Sequence, residues 1–209
     1  MKVIALNGSP RKNGNTNQAL SLMASELQDA GIDCEIVQVG SEVIAGCKGC
    51  AVCVKSAGNA CVITGDLLNE TALKCRSADG IILASPTYYA GIAGTMKSFL
   101  DRLFYSSSSY FAYKVGTSVS VVRRAGGVDV VHQLNNYLNL AQMIIPPSQY
   151  WTIAYGRAPG EIAQDDEGTQ TLRKNARAMA WLLKSLDAAK TSVPHPIETE
   201  ARAWTNFIR

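Results

Sequence analysis

Apolar runs of strand length and apolar stripes of helical period take turns along this chain, and that alternation constrains its fold more than any other feature. Residues 3–6 ("VIAL") are a continuous apolar run ending in a Gly/Ser/Pro/Asn loop, the pattern of a buried strand. Behind Thr16, the residues Leu20, Met23, Leu27 and Ala30 recur at helical spacing until Gly31 stops them. Four more strands are expected at 34–39 ("CEIVQV"), 80–86 ("GIILASP"), 115–122 ("VGTSVSVV") and 150–155 ("YWTIAY"). Helices fall between and after them. Asp66 caps one in which Leu68, Ala72 and Cys75 share a face, and "GTMKSFLDRLF" (94–104) is the next. Val131, Leu134, Leu138, Ala141 and Ile145 mark another, and Leu172, Ala176, Met179, Leu183 and Leu186 line the last.

Five such strands joined by helices imply a mainly parallel sheet covered on both faces. With 209 residues and neither linker nor repeat, one domain is expected over 1–193, carrying a cysteine-rich insertion at 44–62. The segment 194–209 opens on proline, and its Trp204 and Phe207 are expected to pack on the body or on a second subunit. A net charge of +3 without like-charge blocks gives no case for nucleic acid or an anionic membrane as partner. The apolar stretch behind Met1 is too short for a signal-peptide core, and no run approaches a membrane span. A cytoplasmic location is therefore expected, with cysteines kept reduced.

Sheets of this kind bind ligands beyond the C-terminal ends of their strands. The loop after the first strand, "NGSPRKNGNT" (7–16), has glycines at Gly8 and Gly14, short polar side chains at Ser9, Asn15 and Thr16, and positive charge at Arg11 and Lys12. Facing a helix N-terminus, that set suits a phosphate. It is not a Walker loop, because five residues separate the glycines and Asn15 stands where lysine is required. The loop after the third strand, within "SPTYYAGIAGTMKSFLDR" (85–102), offers a rigid turn at Pro86, flat faces at Tyr88 and Tyr89, and close backbone approach at Gly91 and Gly94.

Taken together, "GSPRKNGNT" and "SPTYYAGIAGTMKSFLDR" resemble the flavodoxin-fold NAD(P)H-dependent FMN reductase family. The resemblance implies a flavodoxin-like three-layer α/β sandwich with a five-stranded parallel sheet in the order 2-1-3-4-5. It also implies that Ser9, Arg11, Asn15 and Thr16 hold the FMN phosphate, while Pro86, Thr87, Tyr88 and Tyr89 frame the isoalloxazine ring. The loop "RRAGGVD" (123–129) would approach the pyrimidine edge through Gly126 and Gly127.

Four of the six cysteines lie in "GCKGCAVCVKSAGNAC" (46–61), as Cys47-x2-Cys50-x2-Cys53-x7-Cys61. Four thiolates are the complement of a [4Fe–4S] cluster, and the first three have ferredoxin-like spacing. Zinc, a Cys50/Cys53 dithiol and an inert loop are the alternatives left open by spacing alone. The segment is similar to the motif of the iron–sulfur flavoproteins, a subset of the same family. Cys34 and Cys75 fall at core positions, and His132 and His195 form no ligand pair.

The implied activity is an FMN-dependent oxidoreductase that takes hydride from NAD(P)H and reduces a flavin, quinone, azo or nitro compound, or a protein acceptor. A cluster would exchange single electrons with the flavin. No dedicated acid–base residue is needed, because the flavin carries the chemistry. A shallow site implies a homodimer or homotetramer. The rivals are a non-enzymatic flavin/iron–sulfur electron carrier and a zinc- or thiol-based redox sensor, which would bind no flavin.

Overall fold

The computed structural model describes residues 1–56, 58, 60–196, 200, 201, 203 and 205. Its elements are β1 (Lys2–Asn7), α1 (Asn15–Asp29), β2 (Asp33–Gln38), α2 (Val52–Lys55), α3 (Leu68–Ser77), β3 (Gly80–Tyr88), β4 (Gly91–Ile92), α4 (Gly94–Ser107), β5 (Val115–Val122), α5 (Gly127–Leu140), β6 (Ile153–Tyr155) and α6 (Asp166–Ala189). Five strands pair in parallel in the order β2-β1-β3-β5-β6, and β4 folds back antiparallel onto the end of β3. This is the order implied by the family resemblance, with β5 and β6 as fourth and fifth long strands.

The apolar run of β1 is continuous because both faces of the sheet are covered. Ile4 and Leu6 join Ile81 and Leu83 under α3, α4 and α5, packed on Leu68, Phe99 and Leu134. Val3 and Ala5 join Ile82 and Ala84 on the other face, under Leu20, Met23, Leu172 and Met179 of α1 and α6. Alternate residues therefore feed two separate cores, as the period of two requires. Among the described residues no helix is long and apolar enough to cross a membrane.

Three sequence expectations are corrected at their edges. The fifth strand begins at Ile153 rather than Tyr150. Just ahead of it the chain turns at Trp151, whose carbonyl accepts from Ile153 N–H at 2.7 Å, so the ladder is joined only beyond that turn. Ile145 is not on the preceding helix: α5 ends at Leu140, and Gln142 turns the chain with φ +58°. The third strand runs past Pro86 to Tyr88, because β4 gives Thr87 and Tyr88 partners. Trp204 and Phe207, read as packing residues, lie outside the described residues.

Candidate active site

β1, β3 and β5 are neighbours in the sheet, so their following loops open on one edge. The first loop leaves β1 through Gly8, whose N–H donates to the Ala84 carbonyl of β3 at 2.8 Å. A Cβ on Gly8 would sit 2.7 Å from Met96 Cγ of α4, so only glycine lets the loop cross so close. Ser9 N–H donates to Asn7 Oδ1 at 3.0 Å, and Arg11 N–H donates to Ser9 Oγ at 3.1 Å. Gln38 at the end of β2 donates to the Ser9 carbonyl at 2.6 Å and accepts from Asn7 Nδ2 at 2.7 Å. Ser9, Asn15 and Thr16 are buried, whereas Arg11 is exposed.

α1 begins after Gly14 with no side-chain cap and no acidic residue in its first turn. α6 does the opposite: Asp165 accepts from Gly168 N–H, and Asp166 and Glu167 occupy its first turn. One helix thus answers its own N-terminal charge, and the other presents unpaired N–H groups beside Arg11. That donor set fits the phosphate of FMN.

The second loop is a hairpin. Tyr88 pairs with Gly91, leaving Tyr89 and Ala90 as a two-residue turn with φ +49° and +56°. Left-handed angles at two successive non-glycine residues store strain. The hairpin is held by Gln133 of α5, which accepts from Ile92 N–H and donates to the Ala90 carbonyl, both at 3.3 Å. Ser85 Oγ accepts from Ala93 N–H at 3.0 Å, and Thr87 Oγ1 meets Ser120 Oγ at 3.0 Å. Tyr88 is half exposed and Tyr89 fully so. Gly126, at φ +85°, faces this hairpin so closely that a Cβ would lie 3.0 Å from Ala90 Cα. Gly127 opens α5 against Ile153. Thus Thr87, Ala90 and Gly126 meet, and the second and third loops form one surface.

The four cysteines of the insertion border one hollow. Cys47, Cys50, Cys53 and Cys61 line one small cavity of about 20 Å³ with Arg102 and Tyr105 of α4. The six cysteines form no disulfide. Cys47 and Cys50 are exposed and Cys53 is buried; burial first, then the neighbouring Cys61, pushes the Cys53 thiol up. The donors fit a soft metal centre in kind and share one cavity. Among the described residues, however, no three His, Cys, Asp or Glu side chains are gathered as the ligands of a single metal ion would be. Cys75 is core, with burial pushing its thiol up to about 12, and Cys34 is half-buried on β2, pushed up to about 11. His195 stacks on Tyr113 at 5.2 Å, and His132 lies on α5.

Residues 1–158 match the family model described as NADPH-dependent FMN reductase, about three quarters of the chain. The chain belongs to the NADPH-dependent FMN reductase family. It is similar to an iron–sulfur flavoprotein of Methanocaldococcus jannaschii, 32% identical over 192 residues, which cover 88% of this chain and 98% of the relative. An iron–sulfur flavoprotein of Archaeoglobus fulgidus is 33% identical over 167 residues, 79% of this chain and 74% of the relative. Among solved structures, RosB with bound 8-demethyl-8-formylriboflavin-5'-phosphate superimposes with a TM-score of 0.70 at 17% identity, covering 100% of this chain and 94% of that one. At that identity the superposition speaks for the fold alone. As a member of the FMN reductase family, the chain is an oxidoreductase and a flavoprotein of flavodoxin-like fold.

Within this FMN reductase, two residues read as phosphate ligands also bond the loop after β6: Arg11, whose Nη1 donates to the Arg157 carbonyl at 3.5 Å, and Asn15. Asn15 Nδ2 donates to the Ala158 carbonyl at 2.8 Å, and its Oδ1 accepts from Gly160 N–H at 2.9 Å and from Ile162 N–H at 3.4 Å. Its side chain ties the loop after β6 to the start of α1. That loop was not singled out from sequence, nor were Gln38 and Gln133. With Arg123, Tyr155, Arg157 and Glu161 the loop borders an open cavity of about 400 Å³. A larger hollow of about 440 Å³ lies along the β6 edge against Tyr150 and Trp151, and none of the expected ligand residues lines it.

Proposed function

We propose that the chain binds FMN across the ends of β1, β3 and β5, takes hydride from NAD(P)H and reduces a flavin, quinone, azo or nitro compound, or a protein acceptor. The observation that carries this reading is the start of α1. It is a helix N-terminus without cap or acid, set beside Ser9, Arg11 and Thr16 and next to an aromatic hairpin. FMN, when bound, supplies a ring that accepts hydride and releases electrons singly or in pairs. First-turn N–H groups of α1, Ser9, Thr16 and Arg11 would neutralise the phosphate. Pro86, Thr87, Tyr88 and Tyr89 would frame the ring, and backbone groups at Gly126 and Gly127 would meet its polar edge. Gln133 clamps the hairpin that carries this frame.

Cys47, Cys50, Cys53 and Cys61 would hold a [4Fe–4S] cluster, the reading supported by their number and by their lining of one hollow beside Arg102. An iron–sulfur cluster would supply one-electron exchange. The FMN-binding domain then comprises 1–193, including the insertion at 44–62, with 194–209 as a tail on the body or a partner. Fully exposed Tyr89 at the rim supports cover by a second subunit, hence a homodimer or homotetramer.

Anaerobic purification followed by flavin, iron and sulfide analysis and an NADPH oxidation assay tests this reading. FMN at about one per chain, with turnover of NADPH in the presence of menadione or an azo dye, is the expected result. Bound FMN with negligible NADPH oxidation would instead make the protein an electron carrier. Colourless protein that takes up no FMN would overturn the flavin site itself, and FMN without iron would remove the cluster alone.

A further inference from the structure

Among the described residues Arg102 is the largest fully buried side chain, with none of its side-chain surface exposed. A buried guanidinium needs a counter-charge and a partner for each N–H. Asp66, itself only 9% exposed, supplies the charge and pairs with both terminal nitrogens. The other contacts all go to the cysteine segment. Nη1 donates to the Ala45 carbonyl at 3.2 Å, Nη2 to the Ile63 carbonyl at 2.8 Å, and Nε to Cys61 Sγ at 3.4 Å. Ala45 lies two residues before Cys47, and Ile63 two after Cys61. One planar fork therefore gathers both ends of the thiol segment at the wall of its cavity. Asn69 of α3 completes the hold on Cys61, accepting from its N–H and donating to its carbonyl, both at 2.9 Å.

We propose that Arg102 is the positioning residue of the thiol site: it fixes Cys61 as the immobile ligand and pins the two ends of the segment, so that Cys47, Cys50 and Cys53 can close on a thiophilic metal centre. The inference rests on the metal reading of the four cysteines given above, and goes beyond it by naming the residue that makes the site. An ordinary structural ion pair would need only Asp66. What distinguishes Arg102 is the use of three further donors on a carbonyl, a carbonyl and a thiol sulfur of one segment. Arg102 also lies eight residues into α4 from Gly94, roughly 12 Å along the helix axis from the flavin hairpin. The same helix thus begins at the proposed flavin site and carries the anchor of the thiol site.

The test is anaerobic titration of the FMN-loaded full chain with Cd²⁺ alone, read by thiolate-to-metal charge-transfer absorption. Arg102→Lys keeps the charge for Asp66 but lacks the fork. It is expected to keep FMN and to bind Cd²⁺ about 10–100-fold more weakly than the parent, the usual effect of removing an outer-shell partner. Should that variant not fold, the double variant Arg102→Met/Asp66→Leu replaces the pair by apolar groups without orphaning either charge, and the same loss is expected. Parent-like Cd²⁺ affinity in either variant that holds FMN would overturn the assignment. Loss of FMN from both would overturn it as well, because Arg102 would then serve the fold at large. A parent protein that binds no Cd²⁺ would remove the metal reading and this inference with it, an outcome separate from equal binding by parent and variant.

Discussion

Asn15 has the chemistry of an anion ligand and the address of one, yet its amide is bonded to three backbone groups of the loop after β6. Asn15→Ala leaves Ala158, Gly160 and Ile162 groups without those bonds and is expected to lower stability by about 1–3 kcal/mol, measured by urea unfolding of the flavin-free protein. Gly126 makes a sharper point. At φ +85°, with Ala90 Cα 3.0 Å from where a Cβ would stand, Gly126→Ala is expected to cost about 1–2 kcal/mol and to weaken FMN binding. Flavin fluorescence titration beside a thermal melt reads both. Among the thiols, Cys34 and Cys75 are pushed up to about 11 and about 12 by burial, while Cys47 and Cys50 are exposed. Mass mapping after brief iodoacetamide treatment of metal-free protein at pH 8 should find Cys47 and Cys50 alkylated before Cys34 and Cys75. At this scale sequence reading identifies which side chains can bind and not where they are aimed. The loops of Ser9, Tyr88 and Gly126 lie at neighbouring strand ends, as their places after alternating strands implied; Gln133 and Gln38 were missed because nothing local marks a glutamine that clamps another loop.

Elements were legible where a period runs undisturbed and blurred where tertiary contacts decide their ends. The eight residues of β5 were read without error, since an all-buried strand leaves an uninterrupted signature. β6 was read too long, because the chain turns at Trp151, where Ile153 N–H donates to the Trp151 carbonyl at 2.7 Å, a bend that apolar composition does not mark. β4 is two residues long and exists only as the return arm of the hairpin, too short for any periodicity. A further cross-element contact joins β1, β2 and α3: Glu35 accepts from Lys2 at 2.7 Å and Lys74 at 2.9 Å. The bonds to Lys2 and Lys74 hold the Glu35 carboxyl below its ordinary value of 4.5. A lowered folded value contributes stability above that ordinary value, which is lost as pH falls through the folded one. Glu35→Gln should therefore melt below the wild type at pH 7, with the gap narrowing as pH falls below the ordinary glutamate value.

The molecule is a sheet with a main core on each face, and the proposed function depends on which strands are neighbours. Alternation of strands and helices announced the parallel sheet, but only the order β2-β1-β3-β5-β6 brings the loop of Ser9 beside the hairpin of Tyr88 and the turn of Gly126. The cysteine insertion then sits against α4, the helix that starts at the hairpin, with Arg102 between them. Motifs far apart in sequence are brought together through that order, on the surface proposed above for the redox chemistry. Its most direct test is anaerobic addition of NADPH to the FMN-loaded protein, followed by absorbance. Bleaching of the flavin band, with close to one NADPH consumed per flavin and its return on adding an acceptor, is the predicted result. A flavin band that NADPH leaves unchanged would contradict the account.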